Sequence, residues 1–172
     1  SDETNVCLTN TYALSKHAGE LAALRMSAAV LRTNFFGPSR HPTRISFSDW
    51  LLDNFINGKE FTGFTDVAIS PVLMDTLSAA IERVLYLPTP GVFNLGSNGG
   101  MSKADFACTL AESFDLPISL MRRGTTDEIG MAAYRPKNMC MNNEKFQRNF
   151  DMKLPRLREE IKRLRSDINV TT

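Results

Sequence analysis

Asn10-Thr11-Tyr12-Ala13-Leu14-Ser15-Lys16-His17-Ala18-Gly19-Glu20 is the most informative stretch of this 172-residue chain. Leu14, Leu21 and Leu24 form an apolar stripe among several alanines, which predicts a helix over residues 11–26. On it, Tyr12 and Lys16 are one turn apart and share a face. A free phenol titrates near pH ~10, and a fixed ammonium nearby favours the phenolate. A tyrosine so placed can exchange a proton with a carbonyl or alcohol oxygen while a hydride moves at carbon. By themselves the two residues also fit an amphipathic helix with one tyrosine and one solvated lysine, which is the commoner case. His17 points about 100° away from Lys16 around the helix and reads as solvated.

Working outward, residues 28–36 form an apolar run with little alternation, as expected of a buried parallel strand. Gly37-Pro38-Ser39 ends it, and residues 40–46 read as a polar loop in which Arg40, His41 and Arg44 are solvated. A helix is predicted over 47–57, with Trp50, Leu51, Phe55 and Ile56 inward and Gly58 as its stop. Residues 60–64 suit a short strand, 74–86 a helix, 92–95 a strand and 96–100 a loop. Ser102 is a good N-cap for a helix reaching residue 114, with Asp105 three residues on. A strand over 118–121, a loop over 122–137 and a final helix over 157–168 complete the reading. Leu157, Ile161 and Leu164 share one face of that last helix, and the charges of 156–165 read as solvated. No repeat, low-complexity tract or linker interrupts the chain. No Gly-x-Gly-x-x-Gly follows a strand, and the glycines of 91–100 have the wrong spacing for a dinucleotide fingerprint.

The composition is that of an ordinary globular domain, with 42% hydrophobic and 23% charged residues. A net charge of +1 gives no bulk attraction to nucleic acid or an anionic membrane, so neither is an expected partner. An anionic ligand would need a local cluster. The three cysteines are odd in number and widely spaced, which argues against a disulfide framework or a CxxC metal site. Cys108 reads as a small buried hydrophobe. His41 lacks a partner at metal-ligand spacing, so no metal is expected. No apolar run reaches membrane-spanning length and the given N-terminus lacks signal-peptide character, so the expected location is cytoplasmic. Asn169-Val170-Thr171 matches a glycosylation sequon and is read as chance.

The flanks of the tyrosine–lysine pair carry more information than the pair. The run resembles the Tyr-Gly-x-Ser-Lys-x-x-Gly-Glu segment of extended short-chain dehydrogenase/reductases, matching at Tyr12, Ser15, Lys16, Gly19 and Glu20, with Ala13 in place of the usual glycine. Asp2-Glu3 and Asn10 resemble the acidic, Asn-containing loop that leads into it. Val30-Leu31-Arg32-Thr33-Asn34-Phe35-Phe36-Gly37-Pro38 is similar to the strand and Asn-x-aromatic-Gly-Pro turn that follow. Residues 91–106 resemble the family's strand-loop-helix segment. Tyr134-Arg135-Pro136-Lys137-Asn138 is similar to its Arg-Arg-Pro-Lys-Asn run, with Tyr134 replacing the first arginine. The matches cover nearly the whole chain in order, and within the superfamily they look most like the dTDP-4-dehydrorhamnose reductases.

That resemblance implies an α/β fold: the C-terminal part of a Rossmann-type enzyme with its small substrate-binding domain. Residues 1–39 would end the Rossmann part and 40–172 would be mainly substrate-binding, within a single incomplete unit. It implies Tyr12 as acid/base and Lys16 as holder of the nicotinamide ribose, both contacting NADP or NAD. Asn34 would hydrogen-bond a nucleotide-diphosphate sugar, or simply end its strand. Arg135 would pair with a phosphate, or form a surface salt bridge. Phe35 would wall the sugar pocket and Phe36 the nicotinamide, or both would pack the core. The implied reaction is NAD(P)H-dependent reduction of a nucleotide-linked 4-keto-6-deoxy sugar. The alternatives are a nucleotide-sugar epimerase/dehydratase, or a non-catalytic regulatory subunit of the same fold.

Two parts of the family pattern do not occur in this sequence: the glycine-rich dinucleotide half, and the upstream Ser or Thr of the catalytic triad. Neither Thr4 nor Thr9 matches that role. The expectation is a chain that is inactive alone, with an exposed face that drives self-association or takes up a complementing N-terminal half.

Overall fold

The structure is a computed structural model, describing residues 3, 6, 8, 10–41, 43–129 and 136–168. In chain order the elements are α1 (Thr11–Arg25), β1 (Ala29–Thr33), β2 (Phe35–Phe36), α2 (Phe47–Ile56), β3 (Phe61–Phe64), β4 (Ala68–Ile69), β5 (Val72–Leu73), α3 (Met74–Tyr86), β6 (Gly91–Leu95), β7 (Met101–Ser102), α4 (Lys103–Ser113), β8 (Met121–Gly124), α5 (Thr126–Ile129), β9 (Asn138–Met139), α6 (Glu144–Phe150) and α7 (Leu157–Asp167).

The strands pair mostly in parallel. β1 lies beside β6 from Ala29↔Gly91 to Thr33↔Leu95. Asn34 then takes the chain out of that ladder, and β2 pairs in parallel with β5. The single strand predicted over 28–36 is therefore two strands with different partners. A third parallel pair joins β3 to β8, and β4 lies between antiparallel β7 and parallel β9. The segment after residue 39 thus returns β6 to the strand that follows α1.

Two apolar cores hold these layers. In the larger, Phe106 and Leu110 of α4 meet Leu51 of α2 and Ile161 and Leu164 of α7. Phe36 is drawn into this core at 2% exposure, edge-on to Phe106 with ring centres 5.1 Å apart. The smaller core sets Phe93 and Leu95 of β6 against Leu77 of α3 and Phe146 and Phe150 of α6. Full burial of each such side chain stabilises the fold by roughly 1.5–3 kcal/mol. Helix starts follow ordinary capping chemistry: Asn10 accepts the Ala13 N–H at 2.9 Å, Ser46 that of Asp49 at 3.0 Å and Ser102 that of Asp105 at 3.0 Å. Gly58 follows α2 at φ +59°, the left-handed conformation that glycine adopts without strain.

Several expectations need correction. Ile56, placed inward on the sequence, is 55% exposed, and Trp50, also placed inward, sits at the rim of the larger core, 38% exposed but edge-on to Phe61 with ring centres 5.2 Å apart. The predicted strand at 118–121 begins only at Met121 and runs on to Gly124, because 119–120 form a turn. The loop over 122–137 therefore contains most of β8 and the short α5. Helix α6 is not anticipated by the sequence pattern, although Phe146 and Phe150 stand four apart and are fully buried. Cys108 is only partly buried, beside Arg123.

Candidate active site

The Asn10 cap starts α1 immediately before Tyr12, so Tyr12 occupies its first turn and Lys16 its second. Ser15 Oγ donates to the Tyr12 carbonyl at 2.9 Å. Lys16 Nζ stands 5.7 Å from the centre of the Tyr12 ring. Tyr12 is 71% exposed, and Lys16 is exposed as well. None of the residues of α1 is fully buried. The leucine stripe does not reach a core: Leu14 and Leu21 are exposed.

Between α1 and β1 opens a cavity of about 760 Å³, lined by Tyr12, Lys16, His17, Thr33, Phe35 and Met141 among others. Phe35 is exposed on its wall. Asn34 sits between Thr33 and Phe35; its carbonyl accepts the Val72 N–H at 3.0 Å. Its side-chain Oδ1 is buried with no hydrogen-bond partner. Such an orphaned acceptor is costly unless something completes it. The side chain of Phe36 faces the core and does not line this cavity. The structure thus gathers Tyr12, Lys16 and Phe35 around one opening; Asn34 comes between the lining residues Thr33 and Phe35 in the chain but does not itself line it. Arg135 lies outside the described residues.

Two further residues build the site. Glu20 of α1 accepts from Arg32 of β1 through both oxygens, Nε to Oε2 at 2.8 Å and Nη2 to Oε1 at 2.6 Å. The Arg32 hydrogen bond holds the Glu20 carboxyl below its ordinary range, against the opposing effect of burial. The same bond raises Arg32. His17 is half-buried rather than solvated, with Nδ1 3.4 Å from Glu20 Oε1 but outside hydrogen-bond geometry. Glu20 matched a motif position on the sequence, but nothing there paired it with a residue 12 positions later.

Among the described residues, no group of His, Cys, Asp and Glu could hold a metal ion, and no helix is long and apolar enough to cross a membrane.

Parallel strand pairs joined through helices, and a Tyr-x-x-x-Lys helix lying over a cavity beside β1, fit an α/β protein of Rossmann type. Within that class, the chain belongs to the RmlD substrate binding domain family, whose model it matches over residues 2–170. It is 30% identical over 107 residues to the dTDP-4-dehydrorhamnose reductase of Salmonella typhimurium, covering 59% of this chain and 36% of that one. It is 27% identical to that of Escherichia coli over 175 residues, covering 95% of this chain and 58% of the relative. Its fold is also that of a dTDP-4-dehydrorhamnose reductase from Bacillus anthracis, solved in complex with NADP. That match has a TM-score of 0.87 and 21% identity, over 97% of this chain and 59% of the other. The chain thus spans less than two thirds of the length of each of these relatives.

Proposed function

We propose that this chain is the catalytic and substrate-binding part of an NAD(P)H-dependent reductase acting on a nucleotide-linked 4-keto-6-deoxy sugar. The observation that carries the reading is the convergence of Tyr12, Lys16 and Phe35 on one cavity, and the orphaned oxygen of Asn34, the residue just before Phe35, supports it. Tyr12 donates the proton that the C4 oxygen takes up on reduction. The Lys16 ammonium, 5.7 Å from the Tyr12 ring centre, has donors to spare for ribose hydroxyls. Asn34 supplies an acceptor for a hydroxyl of the substrate, and Phe35 gives the sugar an apolar wall. Arg135 is kept as the phosphate partner because a planar guanidinium suits bidentate contact. A nicotinamide dinucleotide supplies the hydride when bound. The exposed Tyr12–Lys16 face fits its nicotinamide-ribose end, and a second, dinucleotide-binding half holds the rest.

Two features support a complementing half. Among the described residues β1 pairs only with β6, and no residue of α1 is fully buried. The test is a chimera of this chain behind the dinucleotide-binding half of the Escherichia coli relative, assayed for NADPH oxidation with dTDP-4-dehydrorhamnose. Turnover lost in Tyr12→Phe supports the reading. A folded chimera that binds NADPH yet shows no turnover with that or any other nucleotide-linked 4-keto sugar rejects it.

A further inference from the structure

We infer that Glu20 and Arg32 form a positioning pair that sets the rotation of α1, and with it the direction in which Tyr12 and Lys16 face. Tyr12, Lys16 and Glu20 are spaced four residues apart, so they follow one stripe along α1 that drifts by about 40° per step. Among the described residues, only the far end of that stripe is tied down by an ion pair. Helix α1 buries no residue completely, so close apolar packing, which sets the rotation of most helices, is weak here. What α1 offers instead is the bidentate contact of Glu20 with Arg32, at 2.6 and 2.8 Å. The side chains of Glu20 and Arg32 are only 10% and 23% exposed. A fork-to-fork contact fixes orientation as well as distance, because both N–H···O bonds must be made in one plane.

The guanidinium is held at its other end too. Arg32 Nη1 donates to the Glu3 carbonyl at 3.0 Å, and Glu3 Oε1 accepts the Asn94 N–H of β6 at 3.0 Å. One charged side chain therefore refers the Tyr12–Lys16 stripe to β1, to β6 and to the segment ahead of α1. Arg32 also lies two residues before Asn34, so α1 and the passage from β1 to β2 share a single reference point. Turning α1 by one residue, about 100°, would carry Tyr12 off the cavity.

The geometric part of this inference needs no substrate; its catalytic consequence rests on the reductase reading above. The experiment is fluorine NMR of the chain labelled with 3-fluorotyrosine, in Glu20→Gln, Arg32→Lys and the exchanged pair Glu20→Arg/Arg32→Glu. The expected result is a displaced, narrowed Tyr12 signal in both single variants, an unchanged Tyr86 signal, and recovery of Tyr12 in the exchanged pair. A Tyr12 signal that does not move in the folded single variants overturns the inference. If the single variants unfold, the exchanged pair decides: native Tyr12 and Tyr86 signals support the inference, and a native Tyr86 signal with a displaced Tyr12 overturns it. In the chimera, Glu20→Gln is expected to lower kcat about 100-fold at unchanged KM, the cost of a small misplacement of the reacting groups. A chimera without any activity defeats the reductase reading and leaves the NMR result standing.

Discussion

The carbonyl of Asn34 accepts the Val72 N–H at 3.0 Å, while Oδ1 of the same residue is buried with nothing to bond. The backbone of Asn34 thus does structural work where the chain passes from β1 to β2, while on the proposed reading its unused side-chain acceptor serves the substrate. Asn34→Ala keeps the backbone bond and deletes an unpaired acceptor, so stability should change by less than about 1 kcal/mol. In the chimera the same substitution should raise KM for the nucleotide sugar roughly tenfold, the equivalent of one lost hydrogen bond. A large loss of stability in urea unfolding with no change in KM would make Asn34 a strand-ending residue and nothing more.

Tyr12 and Lys16 are both exposed, and neither supports a core. Tyr12→Phe should therefore leave the thermal midpoint of the chain unchanged while lowering chimera turnover by about 10²–10⁴-fold, the usual contribution of a positioned acid/base. Lys16→Met should weaken NADPH binding as well as turnover, because it removes both the ribose donors and the charge beside the phenol. Fluorescence titration of NADPH separates the two variants: Tyr12→Phe should retain affinity and Lys16→Met should lose it.

The Glu20–Arg32 pair makes a pH prediction whose sign is set by Glu20. Its carboxyl titrates below the ordinary range in the folded chain, chiefly because of the Arg32 hydrogen bond. The folded state therefore binds fewer protons than the unfolded one in this interval. The pair's contribution is complete above the unfolded value, about pH 4.3, and disappears as pH falls through the lower folded value. Urea midpoints of the native chain and Glu20→Gln should differ at pH 7 and converge in acid. Asp66 and Asp105 are also held below their ordinary range, Asp66 chiefly by Thr126 and Asp105 chiefly by Ser102. Subtracting the single variant removes their common effect. A difference that persists unchanged to pH 2 would contradict the assignment.

Much of this architecture was legible in local signals. Ser102 and Gly58 mark helix ends through chemistry carried by one or two residues, and the structure puts those ends where they fall. Long-range pairing carried no such mark. The split of residues 28–36 at Asn34 depends on β5 and β6 offering two different ladders. The two-residue strands β4, β7 and β9 are strands only because they lie side by side. Phe146 and Phe150 read as isolated aromatics in a polar stretch until β6 brings Phe93 against them, 4.9 Å from the Phe150 ring centre. At the site, the motif gave Tyr12, Lys16 and Asn34 as candidates, whereas Arg32 entered only through its contact with Glu20. The leucines of α1 announced a helix, which is there, but among the described residues no core receives Leu14 or Leu21.

Those leucines predict behaviour in solution. Leu14 and Leu21 are 57% and 50% exposed, and Met26, just past the helix, is 82% exposed. Exposed apolar surface of this kind favours association. Sedimentation of the isolated chain should show concentration-dependent self-association that Leu14→Lys/Leu21→Glu reduces. A monomer at high concentration would mean that this face is stable in water.

Glu160 behaves in the opposite sense to Glu20. Its side chain is fully buried; Oε1 accepts the Leu73 N–H at 3.2 Å and Oε2 the Thr76 hydroxyl at 3.0 Å. Burial pushes its carboxyl above the ordinary range, and the Thr76 and Leu73 bonds and the Arg163 charge offset only part of that. The folded state therefore holds the proton more tightly than the unfolded one. Stability falls as pH rises from about 4.3 through the folded value, and the loss remains above it. Glu160→Gln keeps an acceptor for Leu73 without the charge. Its stability should match the native chain at pH 4 and exceed it at pH 8. Glu160→Ala orphans both donors and should cost ~1–3 kcal/mol at either pH. Urea unfolding across this range tests the balance. If the native chain instead gains on Glu160→Gln as pH rises, the attraction of Arg163, 3.2 Å away, outweighs burial and Glu160 is held as a true ion pair.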